Sequence, residues 1–179
     1  MASIKTTNQH LAIQTNMDRF SNLFKLLGLL ILSLLTFGCT SLRPATSIKN
    51  GSLDSYKYFY ITPTNSLTSS SSGQYYSLSK TVNPSDVITG ILTKDGLIRL
   101  PELKPELTDE TMIINYGESG RRNTGLGGYT IEVTIQFVSA KTSSLVCSCT
   151  AEGQGSTEAD DIRQAITRCL SELTPKGTK

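Results

Sequence analysis

Residues 129–151 read YTIEVTIQFVSAKTSSLVCSCTA. In the first half Tyr129, Ile131, Val133, Ile135 and Phe137 alternate with Thr130, Glu132, Thr134 and Gln136. A period of two sends successive side chains to opposite faces, so this is a strand with one buried and one wet face. The polar run SAKTSS at 139–144 predicts a hairpin connection. Leu145 to Ala151 then returns with Leu145, Cys147, Cys149 and Ala151 inward and Ser148 and Thr150 outward. A hairpin that is apolar on one face must bury that face against a second layer.

The second layer is written on both sides of the hairpin. Downstream, a helix starts near Ser156 or Thr157, with Glu158, Asp160 and Asp161 in its first turn. Ile162, Ala165, Ile166, Cys169, Leu170 and Leu173 form an apolar stripe at helical spacing, and Thr174-Pro175 ends it. Upstream, Asn83-Pro84-Ser85-Asp86 is a helix start: Asn83 caps, Pro84 suits the first helical position and Asp86 favours the positive end. Val87, Ile88, Ile91 and Leu92 are its buried stripe, and Gly96 stops it.

Three further strands are expected, at Tyr56 to Thr62, Leu97 to Leu100 and Thr111 to Tyr116. The serine-rich run from Thr68 to Gly73 reads as a mobile loop. PELKPELTDE at 101–110 reads as a connection, and GESGRRNTGLGG at 117–128 as a flexible glycine loop. The order is strand, helix, four strands, helix. Its simplest solution is an α+β, two-layer sandwich: a mostly antiparallel sheet of four to five strands with two helices on one face.

The stretch from Asn83 to Leu173 combines a capped helix, "TKDGLIRLPEL", the strand "TMIINYG", the hairpin above and the closing helix "DDIRQAITRCLSEL". This plan resembles small bacterial envelope lipoproteins whose domain is similar to the amino-terminal domain of TolB. Curli secretion lipoproteins, lipoprotein activators of penicillin-binding proteins and DUF4136-type lipoproteins share it. The resemblance covers about half of the chain and implies a binding or assembly role with no catalytic residue to carry over. Val146-Cys147 stands where DUF4136-type members often have tryptophan, and the insertions with which curli-type proteins build pores have no counterpart.

The amino-terminal region agrees with an envelope address. Residues 17–39 read MDRFSNLFKLLGLLILSLLTFGC, a basic start carrying Arg19 and Lys25, then an apolar run from Leu26 to Phe37, then Gly38-Cys39. The run is too short to span a bilayer, which takes about 20 residues, and has the length of a signal-peptide core. Gly38-Cys39 resembles the end of a lipobox, relaxed at Thr36 and Phe37 in the manner of the Bacteroides group. The resemblance implies diacylglycerol on Cys39 and cleavage before it. The expected division is an upstream extension at 1–16 from a mis-called start, a signal peptide at 17–38, a flexible tether at 39–53, one domain at 54–174 and a tail at 175–179. Thr40, rather than aspartate, follows the lipidated residue, which favours the outer membrane. No acidic cluster follows Cys39, which favours its periplasmic side over the cell surface.

Processing at Cys39 leaves 141 of 179 residues, enough for one domain of ordinary size. It removes Lys5, Asp18, Arg19 and Lys25, so the whole chain's net charge of +2 becomes zero. A chain without a basic surplus lacks the footprint that nucleic acid requires. The single histidine, His10, is removed too, and with it the triads that depend on imidazole. The mature chain is therefore read as non-enzymatic, with no cofactor and no metal. Cys147, Cys149 and Cys169 are left as three buried thiols, or as one bridge from Cys169 to either strand cysteine; three thiolates without histidine suit zinc poorly.

Two partner sites are expected. Tyr56, Tyr58 and Tyr60 alternate with Phe59 and Ile61. If Phe59 and Ile61 face the helices, the tyrosines lie on the open sheet face, where a large ring with a polar tip suits a protein interface. Arg121 and Arg122 in the glycine loop offer an anion site, for a small ligand or a cell-wall glycan. GESGR at 117–121 lacks the second glycine of a nucleophile elbow, and no GK[ST] closes a phosphate loop. The acidic groups Asp109/Glu110 and Glu158/Asp160/Asp161 are explained by a linker and by helix-start electrostatics. The partners expected are the membrane, through the anchor, and an envelope protein bound through the sheet face or the arginine loop.

Overall fold

A computed structural model describes residues 42–72, 77–125 and 128–173. The upstream extension, the signal peptide, Cys39 and the tail at 175–179 lie outside the described residues, as does the Thr174-Pro175 stop. The elements are β1 (Thr46–Lys49), β2 (Tyr58–Ile61), β3 (Leu67–Ser72), β4 (Ser77–Val82), α1 (Pro84–Lys94), β5 (Ile98–Arg99), a 3-10 helix (Pro105–Glu110), β6 (Thr111–Gly125), β7 (Gly128–Ser139), β8 (Leu145–Gly153) and α2 (Glu158–Leu173).

Six strands form one mixed sheet in the order β1-β8-β7-β6-β2-β5, and β3-β4 form a separate two-stranded sheet. The expected architecture, a mostly antiparallel sheet of four to five strands, is corrected by this finding. β2 runs parallel to β6 on one side and to β5 on the other. The physical reason is the connection. A hairpin can return a chain antiparallel, but the path from β2 to β5 passes through α1, and a crossover of that kind brings the strand back in the original direction. Alternation along a strand reports which faces are wet; it is silent on polarity.

Three segments expected to be irregular are ordered. The tether at 39–53 contains β1, which pairs antiparallel with β8 from Thr46↔Thr150 to Lys49↔Cys147. The serine run is β3, held against β4 by backbone pairing and a Thr68–Thr81 hydroxyl contact at 2.9 Å. Residues 117–125 of the glycine loop are the distal half of β6, which pairs with β7 as far as Gly125↔Gly128, with register shifts near Ser119 and Thr124.

The core forms largely where the sequence pattern places it, although Val87 and Ile91 of the expected α1 stripe are only half-buried. Ile131, Val133, Ile135 and Phe137 of β7 are fully buried together with Cys147, Cys149 and Ala151 of β8. Phe59, Ile61, Met112 and Ile114 extend that face, and Ile88, Leu92, Ile162, Ile166 and Leu170 cover it from the helices. Leu145 is only half-buried, because a bulge between Phe137 and Val138 shifts the register there. Tyr129 departs too: it lies past the covered part of β7 and is exposed. At α1 the Asn83 side chain accepts from the Ser85 amide, Thr64 donates to Asn83 at 2.7 Å, and Gly96 follows the helix with φ +94°. At α2 the Ala159 amide donates to Ser69 of β3, so the small sheet caps the helix from outside.

One disulfide joins Cys149 of β8 to Cys169 of α2, with Cα atoms 5.4 Å apart. Cys147 is a free, buried thiol. Of the alternatives open from sequence, the bridge to Cys149 is the one formed.

Candidate functional site

The tyrosines separate. Tyr58 and Tyr60 are half-buried on β2, opposite in sense to the buried Phe59 and Ile61. Tyr56 precedes the strand and packs against the core. The strand register extends the Tyr58/Tyr60 face sideways. Tyr60 lies beside Ile113, Ile113 beside Val138, and Val138 beside Leu145. Tyr58 lies beside Ile98, which is 54% exposed. Cross-strand neighbours share a face, so these six side chains make a band across five strands on the face turned away from the core. Ile113 and Val138 belong to this band and were missed from sequence, because their contribution needs the strand order.

The arginines separate as well. Adjacent residues of a strand point to opposite faces. Arg121 is paired with Ile131 and Arg122 with Thr130, so the two guanidinium groups leave β6 on opposite sides of the sheet. Arg121 forms an ion pair with Glu158 at the start of α2, and its guanidinium lies 5.3 Å from the ring centroid of Tyr129. Arg122 grips Glu152 with two bonds, Nε to Oε1 at 2.7 Å and Nη2 to Oε2 at 2.6 Å. They do not converge on an anion, and each already has a carboxylate.

Glu152 is the centre of a cluster that the sequence did not announce. Its carboxylate is 3% exposed and also accepts the Arg43 amide at 3.0 Å. The Arg43 guanidinium Nε lies 3.7 Å from Oε1. Arg168 of α2 donates to the Glu152 carbonyl and, at 2.7 Å, to the Arg43 carbonyl. The two-bond grip of Arg122 holds the Glu152 carboxyl well below the usual range, at about 2, against the opposing effect of burial. The cluster ties four pieces of chain together: the entry segment, β6, β8 and α2. The only sequence signal was Glu152 itself, a charge continuing the strand directly after Ala151.

A cleft of about 770 Å³ opens between the segment after β1, the end of α1 and Leu173. Leu53, Tyr56, Leu97 and Phe137 line it, with Lys49, Lys94, Asp54 and Asp95 among its polar residues. Cys147 borders it, its thiol pushed up to about 11 by burial. A thiol so protonated is a poor nucleophile. Among the described residues no group of three His, Cys, Asp or Glu side chains is placed to hold a metal ion, and no helix is long and apolar enough to cross a membrane. Cys39 lies outside the described residues.

No family model matches the chain. No curated protein sequence matches it either. Among solved structures it is similar to the PelC dodecamer from Paraburkholderia phytofirmans in two crystal forms. A variant in space group C2 gives a TM-score of 0.46 at 16% identity, covering 74% of this chain and 98% of that one. The form in space group P6 gives 0.40 at 10% identity, covering 72% and 92%.

Proposed function

We propose that the mature chain is a non-enzymatic envelope lipoprotein, anchored by lipid on Cys39 at the periplasmic side of the outer membrane, that binds a protein partner through its open sheet face. The observation that carries the binding role is the band formed by Ile98, Tyr58, Tyr60, Ile113, Val138 and Leu145. Apolar side chains aligned across five strands, with two tyrosines among them, have the composition of an interface centre. The leader ending at Gly38-Cys39 supports the anchor, and the loss of the only histidine on processing supports a role without acid–base catalysis. Anion binding through Arg121 and Arg122 gains no support, since the two point apart and are both paired.

Site-specific photocrosslinking in the native envelope tests the reading. A crosslinker at Tyr60 is expected to trap a discrete partner, and one at Thr167 on the exposed side of α2 is not. Tyr58→Ala with Ile113→Ser is expected to abolish the Tyr60 product without lowering the melting temperature by more than a few degrees. Equal yields from Tyr60 and Thr167 would refute the sheet-face site.

A further inference from the structure

We propose that the β6–β7 arm rests on the bilayer, with Tyr129 at the level of the lipid headgroups, so that the domain stands on its arm and its acyl anchor together. This rests on the lipid at Cys39 proposed above.

Strand polarity supplies the direction. β1 runs antiparallel to β8, and β8 antiparallel to β7. Followed backwards from Thr46, the chain therefore leaves the sheet at the end where β8 finishes and where the β6–β7 hairpin projects. The opposite end carries the 139–144 turn.

Chain length supplies the distance. Arg43 is clamped to Glu152 and Arg168, and Glu152 is level with Glu132 of β7. From Cys39 to Arg43 is four residues, a reach of at most about 14 Å. On the same side β8 stops at Gly153, opposite Ile131, while β7 continues outward through Thr130, Tyr129 and Gly128. At about 3.4 Å per residue the arm stands about 10 Å proud of β8. An acylated Cys39 thus holds the bilayer surface within the arm's own reach.

The chemistry of the arm suits that surface. Tyr129 is 37% exposed, with the Arg121 guanidinium over its ring. Tyrosine is enriched at membrane–water boundaries, where its ring and hydroxyl meet different solvents. Of the carboxylates around the arm, Glu152 and Glu158 are each paired with an arginine and Asp161 is buried, while Glu118 and Glu132 lie further back on β6 and β7, level with or behind the end of β8.

The chain contains no tryptophan, so Tyr129→Trp creates a single fluorescent reporter. Full-length protein, extracted in its processed form from the envelope, is reconstituted into vesicles of phosphatidylethanolamine and phosphatidylglycerol, with and without bromine on the acyl chains. The Tyr129→Trp emission is expected to be roughly halved by brominated lipid, as for an interfacial ring, while Lys141→Trp at the far end is unaffected. Asn123→Trp serves as a second arm reporter if Tyr129→Trp folds poorly. Unquenched arm reporters on protein that floats with the vesicles would overturn the docked arm and leave the anchor standing. A chain whose Cys39 carries no acyl mass, or whose Cys39→Ser variant floats equally well, would overturn the anchor and the docked arm with it.

Discussion

Glu152 keeps its charge at 3% exposure because Arg122 meets both its oxygens and the Arg43 amide fills a further acceptor site. Removing one partner of such a pair leaves the other stranded, which costs about 3 kcal/mol or more. Arg122→Ala is therefore expected to lower unfolding free energy in urea, and by more than Arg121→Ala does. Arg121→Ala, next in sequence, breaks a more exposed pair and should cost under about 1 kcal/mol. The same carboxylate shapes acid stability. Its folded pKa, about 2, lies below its ordinary 4.5. The unfolded chain therefore binds more protons between those values, and stability falls as pH drops through that window. Asp160, held at about 2 chiefly by its bond from the Lys80 ammonium, adds to this between its ordinary 3.8 and about 2. In Glu152→Gln the loss of stability from pH 5 to pH 3, followed by circular dichroism in urea, should be visibly shallower than in the parent. Neither arginine's role was legible from the sequence. Whether RR forms one cationic patch or two opposed ion pairs depends on whether 117–125 is loop or strand, and the glycines argued for loop.

The elements that could be read from sequence are those whose evidence is local. β7 and β8 follow from alternation, α1 from the Asn83 cap and Gly96, and α2 from its apolar stripe. The distal half of β6 was not readable, because its pairing with β7 overrides a glycine-rich composition. Where β8 turns into α2, two features are sharply constrained. A Cβ on Gly153 would stand 1.8 Å from the Asp161 carbonyl oxygen and 2.8 Å from the Ala165 nitrogen, both main-chain atoms. Gly153→Ala must push α2 off the sheet, and a loss of about 3 kcal/mol is expected by urea denaturation. The Cys149–Cys169 bridge closes a separation of 20 residues between the same two elements. Loop-closure entropy assigns it about 3 kcal/mol. Cys149→Ser with Cys169→Ser should then melt roughly 10 °C lower. Buried Cys147 should stay unreactive to thiol reagents until the chain unfolds.

At the scale of the whole molecule, the described sheet is bounded on one edge by a strand that composition hides. Thr46 to Lys49 shows no alternation, and all four residues are exposed, so nothing in their hydrophobicity marks them as structure. They are held by main-chain pairing to β8, and the preceding turn of chain is held by Glu152 and Arg168. Ala45 and Leu53, on either side, pack against the core. The unit that holds the sheet takes in the chain from Leu42, β1 included, where the sequence placed a tether as far as residue 53. Two truncations separate these boundaries. A chain starting at Leu42 keeps β1 and the arginine clamp. A chain starting at Asp54 loses four strand pairs, strips Glu152 of its Arg43 contacts and leaves β8 as a bare sheet edge, the kind of surface that pairs with other chains. The shorter form is expected to melt about 10 °C below the longer one, the shift that a loss of roughly 3 kcal/mol gives in a domain of this size. It should also aggregate on heating where the longer form does not, measured by light scattering. Equal melting temperatures would mean that β1 is a passenger, and that the domain takes its stability from the sheet between β8 and β5 alone.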